Sequence, residues 1–178
     1  KKRGLKVTCG VSIGHLYFTD DSLFSYDPNF KIHPPFRTKK DKEALRNGLL
    51  DGTIDLVSSM HEPINIEHKK VEFSRALDGS IGIESFFGIL NNIFTLEKTI
   101  SFLTNGKDLF KINNPKLRIG EKANLTMFCP DTIYYFKEEN ISSKSKNCAF
   151  TNSSLKGKVF GIINGENIAL NSEWNFKL

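Results

Sequence analysis

The sequence predicts an α/β segment followed by a mostly β segment. Three observations carry that prediction. A capped amphipathic helix runs through an Asp-Gly stop into an apolar strand over 38–58. Apolar residues recur at helical spacing over 82–111. From Gly120 onward the pattern turns strand-like and ends in a hairpin signal. A change of period along one chain marks a change of element type.

Residues 5–9 alternate like a short strand. Thr19-Asp20-Asp21 is predicted to cap a short helical turn. Pro28, Pro34 and Pro35 make 26–37 an extended loop, because the residue before proline avoids the helical region. Thr38 is an N-cap, and Ala44, Leu45, Leu49 and Leu50 form the apolar face of a helix to residue 50. Asp51-Gly52 stops it, and 54–58 reads as a strand buried on both faces of a parallel sheet. Helix, turn and strand make half of a βαβ unit. Residues 60–80 read as polar and irregular.

Helices are expected at 82–93, after Thr95 (Leu96, Ile100 and Leu103 inward), and at 106–111. Phe86, Phe87, Phe94 and Phe102 fall on them and are expected to pack a core. Strands are expected at 123–129 and 132–136, separated by Pro130-Asp131. A hairpin follows, 155–163 and 166–170 about Asn164-Gly165, in the manner of a type I′ turn. No internal repeat is visible.

With 178 residues and a formal charge of +5, the chain is long enough to bury a core. Its lysines are scattered rather than gathered on one element, so a nucleic-acid face is not expected. No apolar run reaches membrane-spanning length and no signal peptide is visible. A start at Lys1 is that expected of a piece of something longer. Three cysteines, at 9, 129 and 148, are odd in number and have neither CxxC nor Cys/His zinc-like spacing, so a reduced, cytoplasmic protein is expected. Cys9 and Cys129 sit in apolar runs and are expected in the core.

Several stretches, in order along the chain, carry a resemblance. They include Tyr26-Asp27-Pro28-Asn29-Phe30-Lys31 with Pro34-Pro35-Phe36-Arg37, Asp51-Gly52-Thr53-Ile54-Asp55, and His61 with Pro63. They continue with Gly82-Ile83-Glu84-Ser85, Lys144-Ser145-Lys146-Asn147 with Phe150, and Leu155-Lys156-Gly157-Lys158-Val159. The sequence resembles the C-terminal half of dihydroorotase, of the amidohydrolase superfamily. The resemblance implies the C-terminal part of a (β/α)8 TIM-type barrel over 1–115 and a small β domain of the amidohydrolase type over 116–178. A whole barrel needs about 250 residues, so this one is incomplete. It also implies zinc and the reversible cyclisation of N-carbamoyl-aspartate to dihydroorotate in pyrimidine biosynthesis.

The family places a metal-binding, general-base Asp at the end of the last barrel strand. The corresponding residue here is Met60. A thioether takes no proton from water at any useful pH and is a weak zinc ligand. Asp55 lies a strand length away and cannot substitute. Other family contacts are altered too. His33 stands for a substrate-binding Asn, Ile64 for a carboxylate-binding His, and Gly14 for the first of two His, of which His15 keeps the second. Gly79 matches a glycine whose backbone approaches the ligand. His61 is expected to point away from Met60, and Glu62, Glu67 and His68 to sit in a solvated loop. No catalytic residue is retained and no metal site is expected from this chain alone.

Three functions compete. The chain is a catalytically degenerate, pseudoenzyme-like remnant; or it is the C-terminal half of a working zinc enzyme completed by upstream residues; or it is a non-catalytic scaffold for aspartate transcarbamoylase. An open barrel exposes sheet edges, so an upstream half of the same protein or a homologous subunit is the expected partner.

Overall fold

The computed structural model describes residues 1, 3–112 and 117–171. The expected boundary at 115/116 lies outside the described residues.

The first strand, β1 (Gly10–Ser12), is parallel to β2 (Leu56–Ser58), with Val11 opposite Val57 and Ser12 opposite Ser58. The strand expected at 5–9 therefore starts five residues later, at Gly10. Residues 5–9 stay exposed, and the ladder begins only where the Cys9 carbonyl meets the Asp55 and Leu56 N–H groups. Cys9 is exposed rather than in the core. Cys129 is half-buried, and Cys148 is the buried thiol.

Between the strands lie α1 (Ile13–Tyr17), two short 3-10 turns and α2 (Lys39–Leu50). Thr38 caps α2 in a full capping box with Asp41. Leu45, Gly48 and Leu49 turn inward, while Ala44 and Leu50 face out, so the buried stripe is narrower than the sequence suggested. Two cations of α2 bind it to α1. Arg46 Nε donates to the Leu16 carbonyl at 2.8 Å and Lys42 Nζ to that of Tyr17 at 3.2 Å. The segment 60–80 is not wholly irregular, since Ile66–Lys69 form α3.

The helices α4 (Phe86–Ile93), α5 (Leu96–Thr104) and α6 (Gly106–Leu109) follow. Thr95 caps α5 as expected. The start of α4 falls four residues later than the apolar pattern suggested. A Cβ on Gly82 would stand 2.4 Å from the Ser59 carbonyl oxygen, so that stretch is pressed against the end of β2 instead of coiling.

The second sheet is antiparallel, in the order β3 (Asn124–Tyr135), β4 (Ser154–Asn164), β5 (Asn167–Leu170). The two strands expected at 123–129 and 132–136 are one strand with a bulge. Cys129 pairs Lys158 and Ile133 pairs Lys156, so residues 130–132 stand opposite Gly157 alone. Buried Asn91 of α4 satisfies the bulge, its Nδ2 donating to the carbonyls of Pro130 (2.8 Å) and Lys156 (3.0 Å). The hairpin is present with its turn one residue later. Asn164 pairs Asn167, and Gly165 alone takes positive φ (64°), the glycine-first arrangement of a type II′ turn.

Gly157 has φ 97°, and a Cβ there would lie 2.6 Å from the Phe87 ring. Gly157→Ala is expected to cost about 2–4 kcal/mol, from left-handed strain plus overpacking, read as a drop in the urea midpoint. An unchanged midpoint would show that the strand re-paired around the new methyl.

One hydrophobic cluster draws on both sheets. Val11, Leu16, Leu49, Leu90, Phe150 and Leu155 belong to it, with Phe86 and Phe94 packed against it and Phe102 inside. The molecule is mixed α/β. Among the described residues the parallel sheet has two strands and does not close into a barrel.

Candidate functional site

The carboxyl ends of β1 and β2 lie side by side, and the residues just beyond them form the candidate site. A parallel sheet collects functional groups there because the loops that run from its strands to the helices all leave from that end. Met60 stands two residues past β2. Its N–H donates to Ser58 Oγ (3.1 Å) and its backbone is left-handed, with φ 44°. That conformation is strained for methionine and tolerated by Asp, Asn or Gly.

Met60, His33, Gly14, His15 and Glu62 border one small pocket, together with Phe36 and Phe150. Its volume is about 20 Å³, room for one water. Phe36 explains the closure. It is buried, and a Cβ on Gly14 would lie 3.0 Å from its ring, so the ring lies against the bare glycine. The His15 ring is fully engaged. Nδ1 accepts from Ser12 Oγ at 2.6 Å, and Nε2 donates to the Pro34 carbonyl at 3.0 Å. His33 is exposed at the rim.

Ile64 and Gly79 are not in this pocket. They pack on each other, the Ile64 Cγ1 lying 3.0 Å from where a Gly79 Cβ would be. The Gly79 N–H donates to the Lys31 carbonyl, and its own carbonyl accepts from Asn147 Nδ2. His61 turns to the other side. Its Nδ1 accepts from the Ile83 N–H, and Nε2 faces Ser143 Oγ at 3.4 Å. Ser143 Oγ in turn donates to Glu84 at 2.6 Å. Glu67 and His68 are exposed on α3. Among the described residues no three His, Cys, Asp or Glu side chains gather where a metal ion could sit. The donors around Met60 do not fit zinc: besides the thioether and a histidine whose two nitrogens are occupied, the pocket lining offers only exposed His33 and Glu62, two ligands where zinc takes at least three from protein.

Two residues behind the site were not singled out for a role. Asn147 is buried and ties the loop after β2 to Gly79. Its Nδ2 donates to the Glu62 and Gly79 carbonyls, and its Oδ1 accepts from the Ile64 N–H. Its place in the Lys-Ser-Lys-Asn stretch was the available signal. Lys69 is 5% exposed, and its ammonium donates to the carbonyls of Pro28, Leu77 and Lys31 at 2.6, 2.9 and 3.2 Å. Desolvation pulls its pKa down to about 8. No local sequence pattern marks a lysine for burial.

No protein-family model matches the sequence. Solved structures share the fold. An L-hydantoinase (dihydropyrimidinase) from Arthrobacter aurescens superposes with a TM-score of 0.80 at 20% identity, over 96% of this chain and 40% of that one. The inactive dihydroorotase-like domain of the Chaetomium thermophilum CAD-like multifunctional protein gives 0.66 at 20% identity, over 94% and 45%. The fold is thus part of that of a hydantoinase-type amidohydrolase. Sequence relatives narrow this. The dihydroorotase of Caldanaerobacter subterraneus subsp. tengcongensis is 34% identical over 174 residues, 93% of this chain and 40% of that protein. The dihydroorotase of Bacillus cereus is 37% identical over 180 residues, 97% and 42%. The chain belongs to the dihydroorotase family as a partial segment, spanning about two-fifths of the relatives it matches. Among the described residues no helix is long and apolar enough to cross a membrane.

Proposed function

We propose that this chain is the C-terminal portion of a dihydroorotase-like amidohydrolase whose cyclic-amide chemistry has been silenced. In this reading residues 1–115 are the last strands and helices of the barrel, and 116–178 the small β domain. The observation that carries it is Met60, a methionine on left-handed backbone past the carboxyl end of β2, beside a pocket of about 20 Å³. That backbone suits a short polar side chain, and the thioether replaces an acceptor with a group that takes no proton. Phe36 against Gly14 and Ile64 against Gly79 support the same reading, since both put apolar packing where the family places histidines. The Chaetomium domain, described as inactive, gives this state a parallel in the fold.

The two-stranded parallel sheet favours a partner. Parallel sheets are found covered and extended, and here the pair β1–β2 stands alone among the described residues. An upstream stretch of the same protein or a homologous subunit would complete it. In a scaffold role, aspartate transcarbamoylase is the partner class to test.

The test is dihydroorotate turnover with zinc present, by the native protein and by Met60→Asp. Neither is expected to turn over, because Phe36 still closes the pocket against Gly14 and Ile64 still stands in place of a carboxylate-binding histidine. The backbone at 60 tolerates Asp, so misfolding is not the expected cause of silence. Turnover by the native protein would overturn the reading. Turnover by the variant alone would reduce the silencing to Met60.

A further inference from the structure

A second concavity lies apart from Met60. The turn Pro28–Phe30, α3 and the segment 138–147 border an open cleft of about 660 Å³, which shares no lining residue with the small pocket. That volume is in the range of small-molecule sites.

Its charges are unbalanced. Lys69, Lys70, Lys144 and Lys146 line it against only Asp27 and Glu138. Two of the cations are engaged by the fold: Lys69 by its three carbonyls, and Lys146 by the Ile141 carbonyl. Asp27 caps the Asn29 N–H. Lys70 and Lys144 are different. Both are exposed, and among the described residues neither side chain forms an ion pair or a hydrogen bond. One follows α3 and the other precedes β4, yet they border the same cleft. Uncompensated cations on a concave wall focus positive potential into it. Pro28, Ile64 and Val71 supply apolar wall between them.

We propose that this cleft binds a small phosphate monoester, its dianion held between Lys70 and Lys144 and its apolar body against Pro28, Ile64 and Val71. A compact ammonium is a point-charge partner for phosphate, and two of them suit a dianion better than a monoanion. The site stands independently of the Met60 reading, because neither lysine touches that pocket.

The experiment is a calorimetric titration of the native protein with phenyl phosphate at low ionic strength, beside phenol and benzoate. Phenyl phosphate is expected to saturate and to bind more tightly than either comparison ligand. The double variant Lys70→Ala/Lys144→Ala is expected to weaken it by about ten-fold, the scale of two partly exposed charge contacts. The pair Lys39→Ala/Lys40→Ala on α2 makes the same change in net charge elsewhere and is expected to alter affinity less than about two-fold. Circular dichroism checks that both variants keep the fold. No saturable binding by the native protein, equal losses in the two variants, or phenol or benzoate binding as tightly as phenyl phosphate would each overturn the proposal. None of these results bears on turnover.

Discussion

Lys69→Ala is expected to destabilise the protein by about 2–4 kcal/mol, measured by urea titration at pH 7. The ammonium gathers three segments, donating to Pro28 and Lys31 in the proline-rich loop and to Leu77 beyond α3. Pro28 and Lys31 keep other donors, the N–H groups of Lys31 and Gly79. The Leu77 carbonyl has Lys69 as its described donor, so the substitution leaves an acceptor without its partner as well as a void where the stem ran. A hydrogen bond from a charged donor is among the stronger ones.

The same lysine gives a pH signature. Its pKa is lowered by desolvation to about 8 when folded and is near 10.4 when unfolded. At pH 7 both states hold the proton, and folding carries the whole desolvation cost. Between about 8 and 10.4 the unfolded chain binds more protons than the folded one, so this contribution makes stability rise with pH. The gain is of the order of 1–3 kcal/mol. Other groups titrate in that window, so the quantity to measure is the difference between the native protein and Lys69→Met at pH 7 and pH 10. A native advantage that grows with pH supports the assignment. A difference that stays flat would mean the ammonium is as well solvated folded as unfolded.

Elements with strong local chemistry were legible in the sequence. Thr38 and Thr95 marked helix starts because their hydroxyls cap backbone N–H groups three residues on. Asn164-Gly165 marked a hairpin because one residue there had to take positive φ, although which turn formed depended on register. What failed was decided by tertiary contact. The start of β1 depended on where β2 offered partners, and the start of α4 on the pressure of Gly82 against Ser59. Pro130-Asp131 ended no strand, because Asn91, on a helix nearly forty residues earlier, satisfied the bulge. At the candidate site, the family resemblance supplied the positions of Met60, Ile64 and Gly14. It did not supply their surroundings. Phe36 beside Gly14 and the carbonyl cage of Lys69 arise only from packing between distant segments, which no spacing encodes.

Asn147→Ala is expected to cost about 3 kcal/mol and to loosen the whole region that carries Glu62, Ile64 and Gly79. One amide serves three backbone groups there. Nδ2 reaches the carbonyls of Glu62 (2.9 Å) and Gly79 (3.2 Å), and Oδ1 receives the Ile64 N–H (3.1 Å). Alanine strands all three, and the site is dry enough that water repays little, with Asn147 only 5% exposed. Asn147→Asp separates shape from chemistry. It has the same size and keeps the acceptor for Ile64, but it replaces two donors by a carboxylate oxygen facing two carbonyls. It is therefore expected to be at least as damaging as alanine at pH 7 and to recover partly at pH 4, where the protonated acid can donate once. Amide hydrogen exchange locates the effect. Gly79 donates to Lys31 and Glu62 to Ser80 on either side of the amide, and both are expected to lose protection, while the strand amides of β4 are not. If Asn147→Asp were as stable as the native protein, the two carbonyls would have found other donors. The role of this asparagine would then shrink to its single bond with Ile64, and the loop behind Met60 would be held by that bond, the Glu62 N–H to the Ser80 carbonyl and the packing of Ile64 on Gly79.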